Sequence, residues 1–255
     1  MLVAIEIGNS TIGVGVFEMA DLRATWRLTS DTRRTPDEYG LLLRGLLSTL
    51  DAGQAVTGAC AISGVVPRLE PVLRQAVVRF LGVEPFIVSR QCSLGLMLRG
   101  TLRAQTGIDR ILGALGGTLA YGAPLLVLDL GTATTVNAVS RDREFLGGAI
   151  APGVSTALHA LHTGTAQLPL TELVRPPRAI GVDTVSAIQA GIFFGYLGLA
   201  EELIRRAWDE LGHCRVVATG GHAQLFAAES TLIDQVDADL TLRGLREAWR
   251  LNAGS

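Results

Sequence analysis

The stretch PLLVLDLGTATTVNAV, residues 124–139, decides the fold. An apolar run ends on a single carboxylate, Asp129. Gly131 opens a turn of small hydroxyl residues, and apolar residues then resume. Strand, glycine turn, strand is the pattern of a β-hairpin. The N-terminus repeats it: LVAIEIGNSTIGVGVF, residues 2–17, runs apolar around Glu6, turns through GNST and resumes at Ile12. Aligning Gly8 with Gly131 places Glu6 on Asp129 and Thr11 on Thr134, 123 residues apart in a chain of 255. A repeat of that length predicts two similarly built α/β halves facing a shared cleft.

The segments around the hairpins fit this plan. RATWRLT (23–29) adds a third strand. TPDEYGLLLRGLLSTL (35–50) reads as an amphipathic helix, with Thr35 as N-cap, Pro36 at the first helical position and Glu38 three residues on. A buried strand at 58–63, a helix at 66–81, a strand at 85–89 and a helix at 107–121 follow. After the second hairpin, EFLGGAIAPG (144–153) continues the sheet. Residues 184–211 form a long helical stretch open to breaks at its glycines. CRVVATGGHAQLF (214–226) reads strand, diglycine turn, helix start, and 242–251 is a terminal helix. The expected division is 1–115 and 116–255.

Hydrophobic residues make up 48% of the chain and charged residues 18%, enough apolar material for a substantial core and against disorder. Net charge is −2 and no basic stripe stands out, which argues against nucleic acid as a partner. All 22 basic residues are Arg. Without Lys there is no P-loop lysine and no Schiff base, so phosphate contacts must come from Arg, backbone N–H groups, hydroxyls or metal ions. Cys60, Cys92 and Cys214 lie far apart and fit buried small hydrophobes in a reducing compartment. No signal peptide is evident, and no apolar stretch is read as reaching the roughly 20 residues that span a bilayer. A cytoplasmic protein without a membrane partner is expected.

Two carboxylates at matching strand ends, each beside a Gly/Ser/Thr turn, suit one task. The turns offer N–H groups and hydroxyls to phosphate oxygens. The carboxylates can hold a divalent cation, directly or through water, that neutralises the phosphates. TGGHA (219–223) after a buried strand can accept an adenine or ribose against bare backbone. His159 and His162 share a helical face but have no evident third ligand, and they read as surface or loop residues; Asp142 and Asp183 read as turn residues.

These three features in this order resemble the actin/Hsp70/sugar-kinase ATPase superfamily. The resemblance implies two ribonuclease-H-like (actin-like ATPase) domains with ATP in the cleft between them. TGIDR (106–110), DLGTATT (129–135), GGAIAPG (147–153), LHTGTAQLP (161–169) and IGVDTVSAIQAGIFFG (180–195) narrow it. Together they are similar to type III pantothenate kinase, the CoaX/Baf family, over nearly the whole chain. That implies ATP-dependent phosphorylation of the primary hydroxyl of pantothenate to 4'-phosphopantothenate, the first step of coenzyme A synthesis.

The resemblance carries over residue by residue. Gly107, Ile108, Asp109 and Arg110 match the pantothenate-binding GxDR segment, with Asp109 as the general base and Arg110 suited to a two-pronged contact with the substrate carboxylate. Thr184 matches a second substrate contact and otherwise reads as a helix N-cap. Glu6, Ile7, Gly8, Asn9, Ser10, Thr11, Ile12 and Gly13 match the first ATP loop, and Thr132 an ATP contact. Asp129 matches the ligand of a monovalent cation, K⁺ or NH₄⁺, and Glu6 is placed near Mg²⁺. A homodimer is implied, and AGIFFGYLGLA (190–200) reads either as such a surface or as a core helix.

Three departures bear on activity. The family opens DxGNTN where this chain has EIGNST, and Glu6 moves its carboxylate by roughly 1.5 Å, one covalent bond. Asn137 stands where the family carries Asp. RGTLRAQ (99–105) lacks the usual aromatic and Asn-Pro pair. A degenerate member acting as a Baf-like accessory factor, or a kinase for another small hydroxy acid, are the alternatives.

Overall fold

The computed structural model describes residues 1–50 and 58–253. They form two compact units, Met1–Ala120 with Leu240–Ser255, and Tyr121–Asp239.

The first unit is built on a five-stranded sheet. Strands β1 (Leu2–Ile7), β2 (Thr11–Glu18) and β3 (Asp21–Thr29) form an antiparallel meander, and β4 (Ala59–Gly64) and β5 (Phe86–Ile87) pair in parallel, giving the order β3-β2-β1-β4-β5. Helix α1 (Pro36–Leu47) carries the expected capping box: Thr35 accepts from the Glu38 N–H, and the Glu38 carboxylate accepts from the Thr35 N–H. With α2 (Leu69–Leu81) it covers the face that presents Val3, Ile5 and Ile7. Leu2, Ala4 and Glu6 lie on the opposite face by the two-residue period of the strand. Because both faces are covered, β1 reads as a continuous apolar run.

Helices α3 (Gly100–Gln105) and α4 (Ile108–Tyr121) complete the chain up to the second unit. In the second unit β6 (Leu125–Leu130), β7 (Ala133–Val139), β8 (Phe145–Pro152), β9 (Arg215–Thr219) and β10 (Gln235–Val236) repeat the plan in the order β10-β9-β6-β7-β8. The pairing senses match those of the first sheet strand for strand. Helices α5 (Val154–Thr163), α6 (Thr184–Leu211) and α7 (Ala223–Ala227) belong to this unit.

The repeat holds with one correction. In the first hairpin Ile7 pairs with Ile12, and in the second Leu130 pairs with Thr134. The second turn is therefore one residue shorter. Thr134 corresponds to Ile12, and the alignment of Thr11 with Thr134 slips by one. The carboxylates still correspond: Glu6 pairs with Gly13 and Ser63, Asp129 with Thr135 and Thr219. The parallel neighbours end alike too, in Ser63-Gly64 and Thr219-Gly220.

Other expectations need adjustment. The terminal helix α8 (Leu240–Asn252) belongs to the first unit rather than to a 116–255 half. It packs on β1, β2 and β4, and a Cβ on Gly244 would overlap the Leu112 carbonyl of α4 while one on Gly116 would overlap that of Leu240. Two facing glycines thus let α4 and α8 touch backbone to backbone. Helix α6 is unbroken over 28 residues, because Gly191, Gly195 and Gly198 stay within helical backbone. By length and composition it is apolar enough to cross a membrane, contrary to the reading of the sequence. Its Ile188, Ile192, Phe193, Tyr196, Ala200 and Ile204 instead build the core of the second unit with β6 and β9. The three cysteines are free, and burial pushes the Cys60 thiol up to about 12.

Candidate active site

The first turn follows directly from its hairpin. The Gly8 N–H donates to the Thr11 carbonyl at 2.9 Å, leaving Asn9, Ser10 and Thr11 exposed at the tip. Ile7 and Ile12 are fully buried, so only their backbone can face a ligand. The half-buried Glu6 carboxylate lies over bare backbone: a Cβ on Gly8 would stand 3.5 Å from Oε1, and one on Gly13 3.6 Å from Oε2. Both distances are ordinary van der Waals contacts; the close approach at Gly8 is to the Thr11 carbonyl, 2.9 Å from an added Cβ.

The head of α4 belongs to the same unit. Asp109 lies in the first turn of the helix, and its Oδ1 accepts the N–H of Arg110 at 2.8 Å. Among the described residues Oδ2 has no hydrogen-bond partner. A Cβ on Gly107 would overlap Oδ1, so glycine there lets the carboxylate fold back over the helix start. Ile108 is buried and anchors this turn. Arg110 is half-buried; burial pulls its guanidinium below the ordinary value and the Asp109 charge opposes that. Carboxylate and guanidinium thus stand on consecutive residues at a helix N-terminus.

In the second unit the turn after β6 closes with the Gly131 N–H on the Ala133 carbonyl, 3.1 Å. The exposed Thr132 accepts through its carbonyl from the Gly153 N–H at 3.2 Å and from the Thr156 hydroxyl at 2.9 Å, which pins the turn to the start of α5. The diglycine turn comes to the same place. Gly220 has φ +93°, and a Cβ there would overlap Asp129 Oδ1 and stand 2.6 Å from the Leu130 carbonyl carbon. The second hairpin carboxylate and TGGHA, 90 residues apart, therefore meet. Asn137 is buried and donates to the Thr135 hydroxyl at 3.0 Å.

Thr184 is the first residue of α6, but Asp183 caps the helix by accepting the Ser186 N–H at 2.8 Å. The Thr184 hydroxyl is thus released from capping. Thr184 is one of the residues lining a pocket of about 430 Å³ with Leu161, Leu168, Ile188 and Ile192. His162 is exposed, with Nδ1 2.9 Å from the Leu168 carbonyl.

Two residues were not singled out from sequence. The His222 N–H donates to the Leu130 carbonyl at 3.2 Å, and its Nε2 lies 3.0 Å from the Ser155 hydroxyl, joining the diglycine turn to α5. Burial pulls the His222 pKa down, favouring the neutral ring. TGGHA carried a signal for His222; Ser155, 67 residues away, carried none.

The first unit offers a turn with exposed Asn9, Ser10 and Thr11 beside the Glu6 carboxylate, and the Asp109–Arg110 pair; the second offers a turn with exposed Thr132 beside the Asp129 carboxylate. Among solved structures, a Baf-family transcriptional activator from Campylobacter jejuni matches with a TM-score of 0.59 at 19% identity, covering 99% of this chain and 100% of that one. A protein described as a 2-dehydro-3-deoxygalactonokinase, from Sinorhizobium meliloti, matches with a TM-score of 0.56 at 16% identity, over 98% and 96%. Both share the fold of this chain. A type III pantothenate kinase of Phenylobacterium zucineum is 42% identical over 253 residues, 99% of this chain and 98% of that protein. One of Moorella thermoacetica is 42% identical over 253 residues, covering 99% and 100%. The family model for type III pantothenate kinase matches residues 2–206, and the chain belongs to that family.

Proposed function

We propose that this protein transfers the γ-phosphoryl group of ATP to the primary hydroxyl of pantothenate, giving ADP and 4'-phosphopantothenate. The observation that carries the reading is the pairing of Asp109 and Arg110 at the head of α4, in a chain whose family is that of the type III pantothenate kinases. Arg110 holds the pantothenate carboxylate, Thr184 makes a second contact, and Asp109 Oδ2 accepts the hydroxyl proton as the oxygen bonds to the γ-phosphorus and the bond to the bridging oxygen breaks. Backbone N–H groups and hydroxyls of residues 9–11 and the hydroxyl of Thr132 receive phosphate oxygens, and the bare Gly220-Gly221 backbone receives the adenosine.

The donor set also fits cations. Asp129, cradled by Gly131 and Gly220, offers the oxygen ligand that K⁺ or NH₄⁺ takes, and Glu6 offers a carboxylate to Mg²⁺ or to its water shell. Mg²⁺ would neutralise charge on the phosphates. The protein acts as a homodimer in this reading. An accessory factor or a kinase for another hydroxy acid is not favoured, since the relatives at about 40% identity over the full length are described as type III pantothenate kinases.

The test is a coupled ADP-release assay with pantothenate, ATP, Mg²⁺ and K⁺. Turnover that depends on pantothenate is expected, and no turnover in a well-folded protein would refute the reading. For the metal role, Glu6→Gln should raise the Mg²⁺ concentration at half-maximal rate about 10- to 100-fold, the usual effect of losing a group that supports a metal. An unchanged Mg²⁺ dependence removes Glu6 from the metal site.

A further inference from the structure

The loop after β3 begins at the first turn. Thr29 pairs with Thr11, and the Ser30 N–H donates to the Ser10 carbonyl at 3.0 Å. From there residues 31–38 border a cavity of about 680 Å³ lined by Asp31, Arg33, Arg34, Glu38, Leu41 and Leu42. The loop is firmly built. Tyr39 is fully buried; its hydroxyl accepts the Asp31 N–H at 3.0 Å and stands 3.0 Å from the Asp31 carbonyl and 3.3 Å from that of Thr29.

Three of the four charged groups of this cavity are already engaged. Arg33 grips Asp31 through two bonds of 3.0 and 2.9 Å, and this contact holds the Asp31 carboxyl at about 2. Glu38 is committed to the Thr35 N–H at 2.7 Å in the capping box. Arg34 differs. It is half-buried, its guanidinium carbon is 5.9 Å from the Tyr39 ring centroid, and among the described residues no acceptor meets its side-chain N–H groups. Stacking on a fixed aromatic ring restrains the guanidinium at little further entropic cost. The Asp31 and Glu38 charges lie near enough to act on it electrostatically, yet they leave its planar fork unused. A held guanidinium with free donors, on a loop hydrogen-bonded to a phosphate-binding turn, in a chain without Lys, suits a phosphate oxygen pair.

We infer that Arg34 binds the polyphosphate of the nucleotide, adding a charged ligand to the backbone N–H groups and hydroxyls of residues 9–11 in the first turn. The inference rests on the nucleotide reading of that turn given above.

The test compares equilibrium binding of ATP, adenosine and 4'-phosphopantothenate to wild type, Arg34→Gln and Arg34→Lys, with Tm for each. Arg34→Gln should weaken ATP about 10- to 100-fold, as expected for a charge-assisted bidentate contact, and leave adenosine unchanged. Arg34→Lys should recover part of the loss, because the charge stays while the fork goes. If Arg34→Gln does not fold, Arg34→Lys carries the same comparison. Wild-type ATP affinity in a folded Arg34→Gln overturns the inference. So does an equal loss for ATP and adenosine, which would make Arg34 a prop for the loop, and so does a loss confined to 4'-phosphopantothenate. If wild type binds neither ATP nor adenosine, the nucleotide reading itself falls and takes this inference with it.

Discussion

Asp109→Asn is expected to lower kcat about 10²- to 10⁴-fold, the usual contribution of a positioned general base, while the KM for ATP and the Tm stay near wild type. The fold should not notice the change. Asp109 Oδ1 accepts the Arg110 N–H at 2.8 Å, and the carbamoyl oxygen of Asn can accept the same bond. What Asn lacks is a second oxygen able to take a proton. That atom, Oδ2, is the one without a protein partner among the described residues. The contact of Oδ1 fixes the rotation of the carboxylate, so Oδ2 is held rather than mobile. Arg110 follows Asp109 directly, so a substrate carboxylate held by the guanidinium would lie beside this oxygen. Single-turnover measurement isolates the chemical step: a burst at the wild-type rate with slowed steady state would place the loss in product release instead. An undiminished rate would refute the assignment of the base.

Much of this site was legible because its signals are local. Period-two apolar runs and a glycine turn mark a hairpin, and the same pattern recurring 123 residues later marks a second. Thr35, Pro36 and Glu38 announce a helix start through contacts within four residues. What was misread depends on distance or on a single residue of loop length. The slip between Thr11 and Thr134 arises because GNST has one residue more than the turn at 131–133, which the shared Gly and Thr letters conceal. The placement of α8 rests on Gly116 meeting Leu240 and Gly244 meeting Leu112, contacts across more than 100 residues. The two-residue strand β10 is too short for any period, and α3 opens on a Gly at φ +52° that a propensity reading discounts. The cap of α6 went to Asp183 rather than Thr184 because both are good N-cap residues, and only the backbone geometry separates them.

The diglycine gives the sharpest contrast, since neighbours of identical chemistry should respond in opposite ways. Gly220→Ala should destabilise the protein by about 2–5 kcal/mol, combining about 1–2 for an L-residue in left-handed backbone with about 1–3 for overpacking. Gly220 has φ +93°, and its added Cβ would stand 2.6 Å from the Leu130 carbonyl carbon and 2.7 Å from its oxygen, both backbone atoms that cannot swing aside. It would also displace the Asp129 carboxylate. The rate should fall about 100-fold, as a shift near 1 Å in a reacting site can cost, and with Asp129 as the proposed cation ligand a K⁺ dependence should weaken with it. Gly221→Ala meets nothing within 4 Å and has no positive φ to lose. Its stability should be unchanged or higher by up to about 1 kcal/mol through a less flexible unfolded chain. If adenosine lies against this backbone, the methyl group of Gly221→Ala should weaken ATP and adenosine alike while leaving pantothenate binding intact. Denaturant midpoints and nucleotide affinities of the two variants separate the effects. Gly220→Ala of wild-type stability would contradict the strained turn, and a folded Gly221→Ala that binds adenosine like wild type would move the base away from it.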